Sequence, residues 1–191
     1  MKNWQGNLIL LLYFFCIPAY LYAHDEDITL NSLYSEIILM LNEASSKEER
    51  FYILDQAAIK SFDVGKVEDA EAYAKESIEL ASQYQTNWNY GNAIHHSNIV
   101  LGRIALRNGD MEEAKVHLLK AGKVPSTPQL SSFGPNMALA KDLLEKGESD
   151  TVIEYLEQCS AFWEIDRDKL EFWIFKIKKG DIPQFGANVY Y

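Results

Sequence analysis

The chain has 191 residues, 48% of them hydrophobic, with 28 acidic against 18 basic side chains and a net charge of −10. That excess of acid lacks the basic footprint a nucleic-acid surface or an anionic membrane requires. Two cysteines, Cys16 and Cys159, provide no disulfide framework, so stability has to come from packing.

Residues 1–23 have the outline of a secretory signal peptide: Lys2 near the start, an apolar run from Leu8 to Ala23, and Pro18 within it. The run is shorter than the roughly 20 apolar residues that span a bilayer, so no integral span is expected after processing. Cleavage is expected after Ala23, with Leu21 larger than signal peptidase prefers at that place. Cys16 follows Tyr13, Phe14 and Phe15 and does not fit a lipidation site. Losing residues 1–23 removes Lys2 and no acid, leaving 17 basic and 28 acidic residues and a net charge near −11. Residues 24–191 are then a single exported domain, periplasmic or extracellular, with one thiol, Cys159, on the inner stripe of a predicted helix.

Along that domain, Ile28 to Ala44 places Leu30, Leu33, Ile37, Ile38 and Leu41 on one helical stripe. Three units follow, each a helix, a glycine turn and a second helix. The first turns at Gly65, with Leu54, Ala57, Ala58 and Ser61 before it and Ala70, Tyr73, Ala74 and Ser77 after it. Its second helix and the next are expected to run from about Val67 to Tyr84 and from Trp88 to Arg107. The second unit, Asn98 to Ala121, turns at Gly109, with Leu101, Gly102 and Ala105 on one side and Met111, Ala114, Leu118 and Ala121 on the other. A segment with three prolines, residues 122–135, forbids one continuous helix. The third unit turns at Gly147, between Leu139, Ala140 and Leu143 and Val152, Tyr155, Leu156 and Cys159. Asp166 to Lys179 closes the array with a stripe of Leu170, Trp173, Ile174 and Ile177.

Small residues at the helix contacts, Leu101 with Gly102, and Gly109 with Asp110 and Ala114 resemble the tetratricopeptide repeat (TPR). The resemblance covers roughly Phe51 to Phe162 with units near 51–84, 95–128 and 133–166, a cap at 166–191, and turn spacings of 44 and 38 residues against the usual 34 or so. It implies an all-α, short superhelix of helix–turn–helix units with capping helices, a scaffold without chemistry of its own. Residues 91–102 and 132–141 also resemble exported bacterial repeat proteins, which implies an envelope or secreted setting.

In such a superhelix the first helix of each unit lines the groove. Asn92, His96, Ile99 and Arg103 recur at i, i+4, i+7 and i+11 and share one face. Met137 and Lys141 continue the groove in the third unit, and Tyr52, Asp55, Ile59 and Phe62 in the first. These six, Asn92, His96, Ile99, Arg103, Met137 and Lys141, form the expected partner site, with an acceptor group near Arg103 or Lys141. The expected partner is a protein or peptide. The carboxylate clamp of some TPR domains, a Lys and an Asn, would fall where this chain has Asp55 and Ile59.

No enzyme and no cofactor are expected: there is no glycine-rich phosphate loop, no G-x-S-x-G elbow and no HExxH. His95 and His96 point about 100° apart on a helix and do not make an i, i+4 metal pair. A metal-dependent hydrolase centred on them is the alternative from another class, and a purely structural adaptor a third. Finally, Phe133-Gly134-Pro135-Asn136 is echoed by Phe185-Gly186-Ala187-Asn188, which suggests two anchors for irregular segments.

Overall fold

A computed structural model describes residues 29–190, and within them every regular element is helical. The expected signal segment, residues 1–23, lies outside the described residues. Helix α1 occupies residues 29–43. It is followed by α2 (Lys47–Asp63), α3 (Val67–Ala81), α4 (Tyr90–Arg107), α5 (Met111–Gly122), α6 (Pro128–Phe133), α7 (Ala138–Leu144), α8 (Ser149–Cys159) and α9 (Arg167–Lys178), and a 3₁₀ turn spans Gly186–Val189.

Three glycine turns join α2 to α3, α4 to α5 and α7 to α8, and they share one geometry. Gly65, Gly109 and Gly147 sit at φ of +79°, +86° and +88°, a left-handed conformation that side chains with a Cβ rarely adopt. The following N–H groups of Lys66, Asp110 and Glu148 reach back to the carbonyls of Ser61, Ala105 and Leu143, closing each helix with its end carbonyls satisfied. Acids then open the next helix, where the dipole favours them: Glu68 and Asp69 in α3, Glu112 and Glu113 in α5. Asp110 caps α5 directly, its carboxylate accepting from the Glu113 N–H at 3.0 Å.

The three helix pairs pack side by side in chain order, α2 against α4 and α4 against α7 through their first helices, and α3 against α4 and α5 against α8 through their second. Alanines make the close approaches: Ala57, Ala58, Ala70, Ala74, Ala93, Ala114 and Ala121 are all fully buried. Gly102 serves α4 likewise, because a Cβ there would overlap the Leu139 side chain of α7. The first end of the core packs α1, through Ile37, Ile38 and Leu41, on Phe51 and Leu54. The other end is built around Trp163 and Trp173, with Phe185 edge-on to Trp173 at 5.0 Å. Cys159 is fully buried there, and burial pushes its thiol well above the usual range.

The helix limits differ from the sequence expectation at two ends: α3 stops at Ala81 and α4 starts at Tyr90. The proline-rich segment also contains a helix. Thr127 caps α6, its hydroxyl accepting from Leu130 N–H at 3.0 Å, and Pro128 falls in the first turn where no N–H is needed.

The two Phe-Gly-x-Asn segments meet. Asn188 donates from Nδ2 to the carbonyls of Phe133 (2.9 Å) and Pro135 (3.0 Å), and its own carbonyl accepts from Met137 N–H at 2.7 Å. Phe185 is buried, whereas Phe133 is exposed, so only the second aromatic acts as an anchor. Gly134, at φ +82°, lies so close to Trp163 that a Cβ would overlap the indole.

Candidate functional site

Helix α4 is the centre of the molecule and is polar where it is most deeply buried. Asn92, His95, His96, Ser97 and Asn98 all lie inside, and each of the larger ones joins α4 to another element. Asn92 accepts from the Thr127 hydroxyl at 2.6 Å and donates to Asn89 Oδ1 at 2.9 Å, fastening the loop before α6. His95 Nδ1 meets the Ala121 carbonyl at 2.8 Å, and its Nε2 accepts from the Asn136 N–H at 3.0 Å. This assigns the proton to Nδ1, since a carbonyl can only accept. Burial, reinforced by the neighbouring His96 and opposed by the Ala121 carbonyl, lowers the His95 pKa to about 3, so the ring is neutral at physiological pH.

His96 points the other way, to Asp55 of α2, with Nδ1 to Oδ2 at 2.8 Å. Its Nε2 is buried and meets no hydrogen-bond partner among the described residues. Both His95 nitrogens are committed to the backbone, and the two rings address separate interfaces. Asn136, fixed by His95 through its N–H, also accepts the Tyr155 hydroxyl on its carbonyl at 2.7 Å.

Further along the same face, α4 emerges at a cavity of about 330 Å³. Ile59 and Phe62 of α2, Ile99, Val100 and Arg103 of α4, and Ala138 of α7 form its floor. Leu30 and Leu33 of α1 wall one side, and Val189 and Tyr190 the other. Lys60, paired with Asp63 at 3.4 Å, also lines it, and Arg103 is the cation held over an aromatic ring. The guanidinium carbon stands 4.6 Å over the Phe62 ring, and Nε donates to Asp142 Oδ2 at 2.8 Å. The two terminal guanidinium nitrogens keep their donors unpaired among the described residues. An arginine stacked on an aromatic ring and held by one carboxylate has lost most of its rotamer freedom, so little more is lost when it binds an acceptor.

A second, more open groove of about 600 Å³ lies between α3 and α5, lined by Ile78, Ile94, Val116 and Leu119. Its central polar groups satisfy one another: His117 Nδ1 bonds Asn98 Oδ1 at 2.8 Å and Asn98 Nδ2 donates to the Ile94 carbonyl at 2.8 Å. The smaller cavity is the better candidate because it combines apolar walls with oriented, unused donors.

The six expected partner residues divide by depth. Asn92, His96 and Met137 are fully buried and hold the structure together; Ile99 is buried but reaches the cavity floor; Arg103 lines the cavity and is partly open to solvent. Lys141 is exposed and stands 3.9 Å from Glu145, so the residue of α7 that reaches Arg103 is its neighbour Asp142. The cavity wall from α1 is not among the residues expected at the groove, whereas the sequence does suggest an aromatic tail of Phe185, Tyr190 and Tyr191 that docks on a partner or on the molecule's own groove, and Tyr190 lines the cavity.

Compared with known proteins, the chain matches no family model, no curated protein and no solved structure.

Proposed function

We propose that this chain is an exported, non-catalytic, TPR-like scaffold that binds a peptide segment of a protein partner in the cavity around Arg103. The observation that carries the reading is the combination of an apolar cavity with an arginine already stacked on Phe62 and tied to Asp142. Its volume admits one large apolar side chain and the adjoining backbone, and the terminal donors of Arg103 are suited to a carbonyl or a carboxylate of that segment. The common geometry of the three glycine turns, and the side-by-side order of the three helix pairs, support the repeat reading. The segment Leu8 to Ala23 supports export.

Burial of both histidines, with His95 bonded through both nitrogens, favours a structural role for them. The reading is tested by selecting binders from a displayed library of random peptides and measuring their affinity for the wild type and for Arg103→Glu. Reversal of that charge is expected to weaken selected peptides by at least about tenfold, given the roughly 1.5–3 kcal/mol of a charged hydrogen bond. Equal affinity for both proteins would remove Arg103 from the site.

A further inference from the structure

We infer that Tyr190 is the second binding residue of the Arg103 cavity, contacting the apolar side chain of the bound peptide, and that Asn188 is the residue that positions it; this rests on reading the cavity as a peptide site. The cavity floor is already packed into the fold, since Ile59, Ile99, Val100 and Ala138 are all buried. Its walls are not. Leu33 of α1 is 41% exposed and Tyr190 of the C-terminal segment 80%. Large apolar groups left open beside an apolar cavity are what a bound segment covers. A tyrosine ring has only two side-chain torsions to fix, so covering it costs little ordering. The charged groups at the cavity pair off, Lys60 with Asp63 and Arg103 with Asp142, so the side chain that enters it is apolar.

Tyr190 is placed by the segment before it. Its N–H donates to the Ala187 carbonyl at 3.0 Å, which ties it to the 3₁₀ turn Gly186–Val189. Within that turn the buried Asn188 side chain donates to the carbonyls of Phe133 and Pro135, and its Oδ1 accepts from Lys169 Nζ at 3.2 Å. Lys169 is itself held, its ammonium 5.2 Å from the centre of the Trp163 ring and 5.1 Å from that of Trp173. The Asn188 carbonyl accepts from Met137, which lies between two residues that line the cavity, Asn136 and Ala138. One residue thus joins the Tyr190 wall to the start of α7, the kind of support a precise binding site needs behind it.

Stability and binding are separable at this place. A ring that is 80% open adds little to the fold, so Tyr190→Ala is expected to melt as the wild type does. Its binding is expected to suffer, because tyrosines covered by a partner are among the residues that carry most of the affinity.

The test is calorimetric titration, well below the melting temperature, of peptides selected on the wild type from a random displayed library. Tyr190→Ala is expected to weaken them at least about tenfold. Asn188→Ala is expected to weaken them by about threefold or more, and to add almost nothing once Tyr190 is alanine, since a positioning residue acts through the group it positions. A merely structural Asn188 would weaken binding equally in both backgrounds. The inference alone is overturned if peptides sensitive to Arg103→Glu bind Tyr190→Ala as tightly as the wild type, if they bind it more tightly because the ring blocks the cavity, or if the two losses add in full. Selection that gives no binders, or only binders indifferent to Arg103→Glu, overturns the peptide reading of the cavity and this inference with it.

Discussion

His95 should make this protein acid-sensitive in a way that one substitution removes. Burial holds the ring neutral in the fold, with its pKa lowered from 6.5 to about 3, while in the unfolded chain it titrates normally. The unfolded state therefore binds the extra proton first, so the contribution is complete above pH 6.5 and is lost as pH falls towards 3. The loss is about 1.4 kcal/mol per pH unit, or about 2 kcal/mol by pH 5, a sizeable part of the 5–15 kcal/mol typical of a folded domain. The structural reason is specific: a proton on Nε2 would face the Asn136 N–H at 3.0 Å, donor against donor. Chemical denaturation followed by circular dichroism at half-unit pH steps should give a stability curve for wild type that falls faster than that of His95→Gln between pH 6.5 and 4.5, by that slope. The variant starts less stable at pH 7, so slope and not midpoint is compared. Parallel curves would refute the argument. Ring nitrogen shifts in the wild type provide a second reading, and a protonated His95 in folded protein at pH 5 would refute it equally.

Other perturbations follow from the same interior. Removing His96 alone, as His96→Leu, should cost about 2–3 kcal/mol by leaving the buried Asp55 carboxyl without its partner, whereas Asp55→Leu/His96→Leu should cost less than the two singles added, by about 1.5 kcal/mol or more; additive denaturation midpoints would show the two are not coupled. Asn188→Ala removes two hydrogen bonds to the carbonyls of Phe133 and Pro135 and one that its side-chain oxygen accepts from Lys169, and should lower the melting temperature by roughly 2 to 8 °C. Deleting residues 181–191 should lower it further by exposing Trp173 where Phe185 packs, and an unchanged calorimetric melt would mean the tail does not dock in solution.

What could be read from the sequence was what depends on neighbours in the chain. Gly65, Gly109 and Gly147 were legible as turns because a left-handed residue between two amphipathic stretches is a local requirement. The shared face of Asn92, His96, Ile99 and Arg103 was legible because it follows from 3.6 residues per turn. How deep each lies on that face was not, because depth is set by distant segments: Thr127 covers Asn92, Asp55 covers His96, and only at Arg103 does the cover end. Met137 is withdrawn in the same way, its N–H held by the Asn188 carbonyl 51 positions along the chain. Lys141 and Asp142 show the limit of periodicity on a short helix. The stripe expected at the groove held Met137 and Lys141, and it is the next residue, Asp142, that meets Arg103.

The peptide-binding claim is tested most directly by methyl nuclear magnetic resonance with a library-selected peptide. The cavity is ringed by Ile59, Ile99, Val100 and Val189, and the competing groove by Ile78, Ile94 and Val116, so two sets of methyl signals separate the two surfaces. Shifts concentrated on the first set, with intermolecular contacts to the Arg103 side chain, are the expected result. Shifts confined to the second set would contradict the assignment of the binding site to Arg103.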